Sequence, residues 1–124
     1  MRKLLLLSLP VVLLAGCQTW GDTWSEVTGV KWYDNEAYRR PSIIERVDGT
    51  SPLRQTYIRI EPGRRELTLR GTDPGWVDGG GRHDLTIDVQ PCKRYYVNAQ
   101  YTSKASPDWK PVIDYVWDIA GCKA

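Results

Sequence analysis

The chain is poor in the residues that most often carry chemistry. His83 is its only histidine, and its three cysteines are Cys17, Cys92 and Cys122. Structural zinc takes four ligands, mostly Cys and His, so this supply argues against a resident metal. No G-x-S-x-G turn occurs, and Ser51 and Ser103 stand in plain turn contexts. His83, followed by Asp84, therefore reads as a solvated residue opening a strand, not as part of a hydrolytic triad. Asp73, Asp78 and Asp84 surround a glycine-rich segment at spacings of five and six, with no closing glutamate. A calcium loop of the EF-hand kind needs alternate ligands and that glutamate. Asp favours turns for its own backbone hydrogen bonds, which is reason enough for it there. Also missing are a long amphipathic helical stripe, an internal repeat and a low-complexity tract. The expectation is a non-enzyme with no metal and no cofactor.

Long apolar runs are scarce as well. A membrane-spanning helix needs ~20 apolar residues to cross ~30 Å of hydrocarbon. The longest candidate, Leu4 to Gly16, has 13 positions, interrupted by Ser8 and Pro10 and preceded by Arg2 and Lys3. That is the plan of a secretory signal. It ends in Leu14-Ala15-Gly16-Cys17, which resembles the bacterial lipobox. The resemblance implies cleavage before Cys17 after its sulfur has received a diacylglyceryl group. It also implies two or three acyl chains on the mature protein. At ~0.8 kcal/mol per buried methylene one chain binds marginally, and two or more anchor stably. In such lipoproteins the residue after the cysteine sorts the protein. Gln18 is not the aspartate associated with inner-membrane retention, so the implied address is the outer membrane, facing the periplasm.

Cleavage there removes 16 of the 124 residues and leaves 108, one domain's worth. Arg2 and Lys3 leave with the signal, so the 17 basic residues become 15 against 15 acidic ones. A neutral mature chain has no long-range field to draw nucleic acid. The segment Lys93 to Tyr101 carries aromatics like an RNA-recognition strand, but Tyr95 stands where that motif wants glycine. Two cysteines remain, and in an oxidising compartment Cys92 and Cys122 read as one disulfide.

Period-two alternation dominates the rest. Strands are expected at Val27–Tyr33, Ser42–Val47, Thr56–Ile60, Arg64–Arg70, His83–Val89, Tyr95–Thr102 and Trp109–Ile119. Leu67 and Leu69, then Leu85, Ile87 and Val89, then Tyr95, Val97, Ala99 and Tyr101 are expected inside. In the last strand Ile113, Tyr115, Trp117 and Ile119 form one face, and Pro111 suggests an edge. Asp48-Gly49 and Pro62-Gly63 are turns. About seven strands with such turns read as an all-β fold. The expectation is an antiparallel β-sandwich of the immunoglobulin or transthyretin kind, with a small β-barrel as the alternative. The expected division is signal 1–16, tether 17–26 and β domain 27–124. Trp20 and Trp24 are odd for a tether and fit either the bilayer interface or the domain surface.

From Val47 to Gly71 the chain resembles PEGA-like and carboxypeptidase-regulatory-type β modules. The matching residues are Asp48-Gly49, Ile58 and Ile60, Pro62-Gly63, and Leu67 and Leu69. Tyr95 to Val97 also looks like the final strand of small bacterial lipoproteins built this way. The resemblance implies an extracytoplasmic binding or structural module without catalysis. Its partners would be the membrane, through the lipid, and an envelope protein.

The glycine-rich segment Gly71–Gly81 is expected to be an exposed, mobile loop. Trp76 within it is either a partner contact or a cover for the end of the sandwich. An accessory or inhibitor lipoprotein docking through this loop is the alternative function. The arginine pairs Arg39-Arg40 and Arg64-Arg65 read as solvated turns.

Overall fold

The structure, a computed structural model, describes residues 23–31 and 36–123. Eight strands follow one another: β1 (Ser25–Thr28), β2 (Arg39–Pro41), β3 (Ile43–Val47), β4 (Ile58–Ile60), β5 (Gly63–Arg70), β6 (Arg82–Val89), β7 (Lys93–Tyr101) and β8 (Trp109–Asp118). They form two sheets. The smaller is antiparallel, in the order β3-β5-β6. The larger is built around β7, which β8 pairs along its whole length. The other edge of β7 is shared: residues 94–96 pair with β1 and residues 98–100 with β2. β4 extends the sheet beyond β1. This is an all-β sandwich, not a closed barrel.

The core lies between the sheets. Leu67, Leu69, Ile87 and Val89 meet Val27, Ile60, Tyr95, Val97, Ala99, Tyr101 and Trp109. In β5 and β6 the apolar residues alternate with Glu66, Thr68, Thr86 and Asp88, as the pleat of a half-buried sheet requires. The D-G turn is held by its own carboxylate. Asp48 accepts hydrogen bonds from the Glu66 amide at 2.9 Å and from Arg65 at 3.1 Å. The Glu66 amide, seconded by Arg65, holds the Asp48 carboxyl below the usual carboxylate range.

Five expectations are corrected. The sandwich is not wholly antiparallel, because β1 runs parallel to β7 with Val27 opposite Tyr95. Nor does the tether extend to residue 26: Ser25 and Glu26 belong to a fully buried strand. Polar side chains hid that strand. Ser25 donates to the Gln90 carbonyl at 2.6 Å, and Glu26 pairs with Arg94 at 2.6 Å. The first strand stops at Thr28, because Gly29 passes so close to Ser42 that a Cβ would sit 1.9 Å from its carbonyl oxygen. A strand, β2, also stands where a loop was expected. Arg39 anchors it by reaching across β7 to Gln100 and Asp114.

The fifth correction concerns the faces of β8. Tyr96 lies opposite Tyr115 but Val97 lies opposite Ile113, so Asp114 is an extra residue in a bulge. The bulge breaks the period. Ile113 and Val116 turn to the inner side, and Tyr115 and Trp117 to the outer side. Beyond the reach of the smaller sheet, all four remain substantially exposed.

Candidate functional site

The amino and carboxyl ends of the described chain meet at one pole. Cys92 and Cys122 are joined, with Cα atoms 5.5 Å apart and 30 residues between them in sequence. Around this bond the Cys92 amide donates to the Trp24 carbonyl at 3.0 Å, and the Ile119 amide to the Cys92 carbonyl at 3.0 Å. Thr23 Oγ1 donates to the Lys123 carbonyl. Cys17 and Trp20 lie outside the described residues. Trp24 packs on the domain: its Nε1 donates to Glu26 at 3.0 Å, and the Arg59 guanidinium stands 4.9 Å from its ring.

The segment Gly71–Gly81 is a built corner and not a loose loop. The Gly71 amide donates to the Gly81 carbonyl at 3.1 Å, and a 3₁₀ turn covers Val77–Gly80. Tyr101 reaches in from β7, its hydroxyl donating to the Gly79 carbonyl and accepting from the Asp73 amide. Gly79 has φ +63°, and a Cβ there would lie 1.9 Å from the Gly71 oxygen. The corner needs glycine because two backbone segments touch. Trp76 packs against the core cluster, so it covers the sandwich end. The apolar side chain left in solvent is Val77, 90% exposed.

The remaining sequence candidates are dispersed. His83 meets Trp109 edge-on, with ring centroids 4.5 Å apart. Asp73 caps the Gly75 amide at 2.9 Å, and Asp84 accepts from Thr68 across the β5–β6 pair at 2.9 Å. Among the described residues no three His, Cys, Asp or Glu side chains are placed to share a metal ion. Arg65 pairs with Asp48 at 3.1 Å and Glu61 at 3.5 Å. Arg39 is no solvated turn residue. It forms an ion pair with Asp114, the side chains being 12% and 7% exposed. Tyr95, Val97, Ala99 and Tyr101, the aromatic strand that could suggest RNA, are core.

Two surface features were not legible in the sequence. One is an open groove of about 970 Å³ between β3 and the β1–β4 edge, lined by Thr28, Ser42, Ile44, Leu53 and Arg70 among others. The other is an aromatic surface on the outer face of the larger sheet. Tyr96 and Tyr115 have centroids 6.3 Å apart, and Tyr115 and Trp117 6.0 Å. Arg94 lies 4.0 Å over the Tyr57 ring. The Tyr96 hydroxyl, hydrogen-bonded to Tyr57, pushes the Tyr57 phenol above its ordinary range. Alternation put Ile113, Tyr115 and Trp117 on one face of the last strand, and it cannot show which side of a strand another sheet will cover. The hint was Pro111, which marked β8 as an edge.

These features define a disulfide-closed, two-sheet β-sandwich in which the first and last described residues share one pole. No family model, curated protein or solved structure matches the chain.

Proposed function

We propose that the protein is a lipid-anchored, periplasm-facing module of the bacterial outer membrane that binds or braces and catalyses nothing. The observation that carries this is the register of Leu14-Ala15-Gly16-Cys17 with a short apolar run and a cationic start. The Cys92–Cys122 bond supports it, since disulfides persist in oxidising compartments. The Asp48-Gly49 turn, the bend at Pro62 and the inward Leu67 and Leu69 support the PEGA-like reading.

The mechanism is confinement. The folded domain begins by Trp24, so acylated Cys17 holds it within a few residues of the bilayer. Tethering raises the effective concentration for any membrane-bound partner without a new contact. The alternative, an accessory or inhibitor subunit docking through Gly71–Gly81, loses its aromatic anchor because Trp76 faces the core. Intact-mass measurement of the chain isolated from membranes tests the proposal. The expected species begins at Cys17 and carries acyl groups. An unacylated chain, or one beginning elsewhere, rejects it.

A further inference from the structure

The carboxy-terminal half of β8 is the largest run of exposed apolar surface on an ordered strand. Ile113 is 45% exposed, Tyr115 38%, Val116 42% and Trp117 43%. The four show apolar surface on both faces of an edge strand, because the smaller sheet covers only the opposite end, near Trp109. Monomeric proteins seldom leave such a run in water without a use for it.

Its position says what covers it. β8 runs toward the pole where Thr23, Trp24, Cys92 and Cys122 meet. A strand rises ~3.4 Å per residue, so Trp117 lies about 7 Å from Ile119, which is bonded to Cys92. Residues 18–22 are all that separate Cys17 from Thr23. Fully extended, that connection spans about 20 Å at most. An anchor at Cys17 therefore keeps this end of β8 within about 20 Å of the lipid head groups, near enough to touch them.

The chemistry agrees. Trp and Tyr rings favour the bilayer interface, where one end is apolar and the other wet. The acids near the strip are each paired with a cation: Asp118 with Lys93, Glu26 with Arg94 and Asp114 with Arg39. Pairing with a second copy is disfavoured, since Pro111 lacks an amide hydrogen and the Asp114 bulge interrupts the free edge.

We propose that the edge of β8, with Tyr115 and Trp117 on one side of the strand and Val116 on the other, is a membrane-contact strip that seats the domain edge-on against the bilayer holding its own anchor. The inference rests on the lipid anchoring of Cys17 proposed above. Its test uses the full mature chain in phosphatidylethanolamine–phosphatidylglycerol vesicles, with and without lipids brominated near the head group. The emission difference between wild type and Trp117→Phe isolates Trp117. Bromine is expected to quench that component at least twofold. Val116→Ser, which keeps every tryptophan, is expected to weaken the quenching.

Equal Trp117 emission in both vesicle types overturns the proposal. So does a concentration-dependent dimer that Trp117→Phe abolishes while bromine leaves emission unchanged, which gives the strip to a second copy. Failure of the anchor reading shows separately, as an unacylated amino terminus by mass. The strip is then decided on protein coupled through the Cys17 sulfur to a maleimide phospholipid, which restores the same tether.

Discussion

Two strands carry the same irregularity with opposite consequences. In β3 the register slips between Ile44 and Arg46, leaving Glu45 as the extra residue. In β8 it slips around Asp114. Each bulge aims a carboxylate at arginines. Glu45 meets Arg70 at 3.3 Å and also Arg82, at a half-exposed surface. Asp114 meets Arg39 where both side chains are nearly buried. The geometry is one device; the solvent differs. An exposed ion pair is worth little because water screens it, while a buried one is costly to break because the survivor is left charged and dry.

The same contrast separates β6 from β7. Both alternate in sequence. β6 obeys the alternation, with Ile87 and Val89 buried and Asp84, Thr86 and Asp88 exposed. β7 is buried or half-buried along its whole length, Asn98 included. Asn98 Nδ2 donates to the Gly29 and Val30 carbonyls, each at 3.0 Å, and Ser42 Oγ donates to the Val97 carbonyl at 2.5 Å. A polar residue that reads as outward is in fact roofed by the chain after β1.

Asp114→Ala should be the most damaging change, costing ~3–5 kcal/mol by removing the carboxylate that meets Arg39 where both side chains are nearly buried. Chemical denaturation would show this as a large drop in midpoint, and a change below about 1 kcal/mol would erase the contrast between the bulges. The double change Asp114→Leu with Arg39→Met should recover most of that loss, because no charge is then stranded. Next comes Cys122→Ser. Releasing a bond across 30 residues should cost ~3–4 kcal/mol in the chain-entropy model. An unchanged melting temperature in non-reducing buffer would count against the bond.

Asn98→Ala should cost about 1–3 kcal/mol, the range for a buried carbonyl losing its donor. The measured value should exceed that of Thr86→Ala on β6, and equal values would mean β7 is not roofed on its second face. Glu45→Ala should be the mildest, below ~1 kcal/mol and smaller still at high salt.

Acid sharpens the same comparison. The hydrogen bond from Arg82 is the largest influence on Glu45 and holds its carboxyl below the usual range. The Glu66 amide does the same for Asp48. Their contribution is therefore full at neutral pH. It declines as pH falls from the ordinary carboxylate range, roughly pH 4, through the lowered folded values. A Glu45→Gln, Asp48→Asn chain should show a shallower loss of stability below that pH than wild type. Parallel acid curves would refute the assignment.

Much of the fold was readable from local pattern. β5 and β6 follow their alternation, the turn at Asp48-Gly49 stands where Asp and Gly put it, Pro62 bends the chain into β5, and Pro111 marks an edge strand. β1 was not readable, since Ser25, Glu26 and Thr28 are polar and buried only because Gln90 and Arg94 satisfy Ser25 and Glu26. The Gly71–Gly81 corner was misjudged, because its composition signals freedom while Tyr101 locks it. The faces of β8 were misjudged, because the extra residue Asp114 breaks the alternation partway along the strand.

By itself the sequence determined that β3 to β8 extend, that the chain turns at Asp48-Gly49 and which two thiols of the domain could pair. These depend on backbone preferences and on period-two burial, which neighbouring residues set. Only the tertiary structure decided that β1 enters parallel beside β7, that one bulge is wet and the other dry, and that Trp117 faces out. Those outcomes depend on what lies across a sheet or over its far face, and contacts between residues distant in the chain leave no periodic mark in either partner.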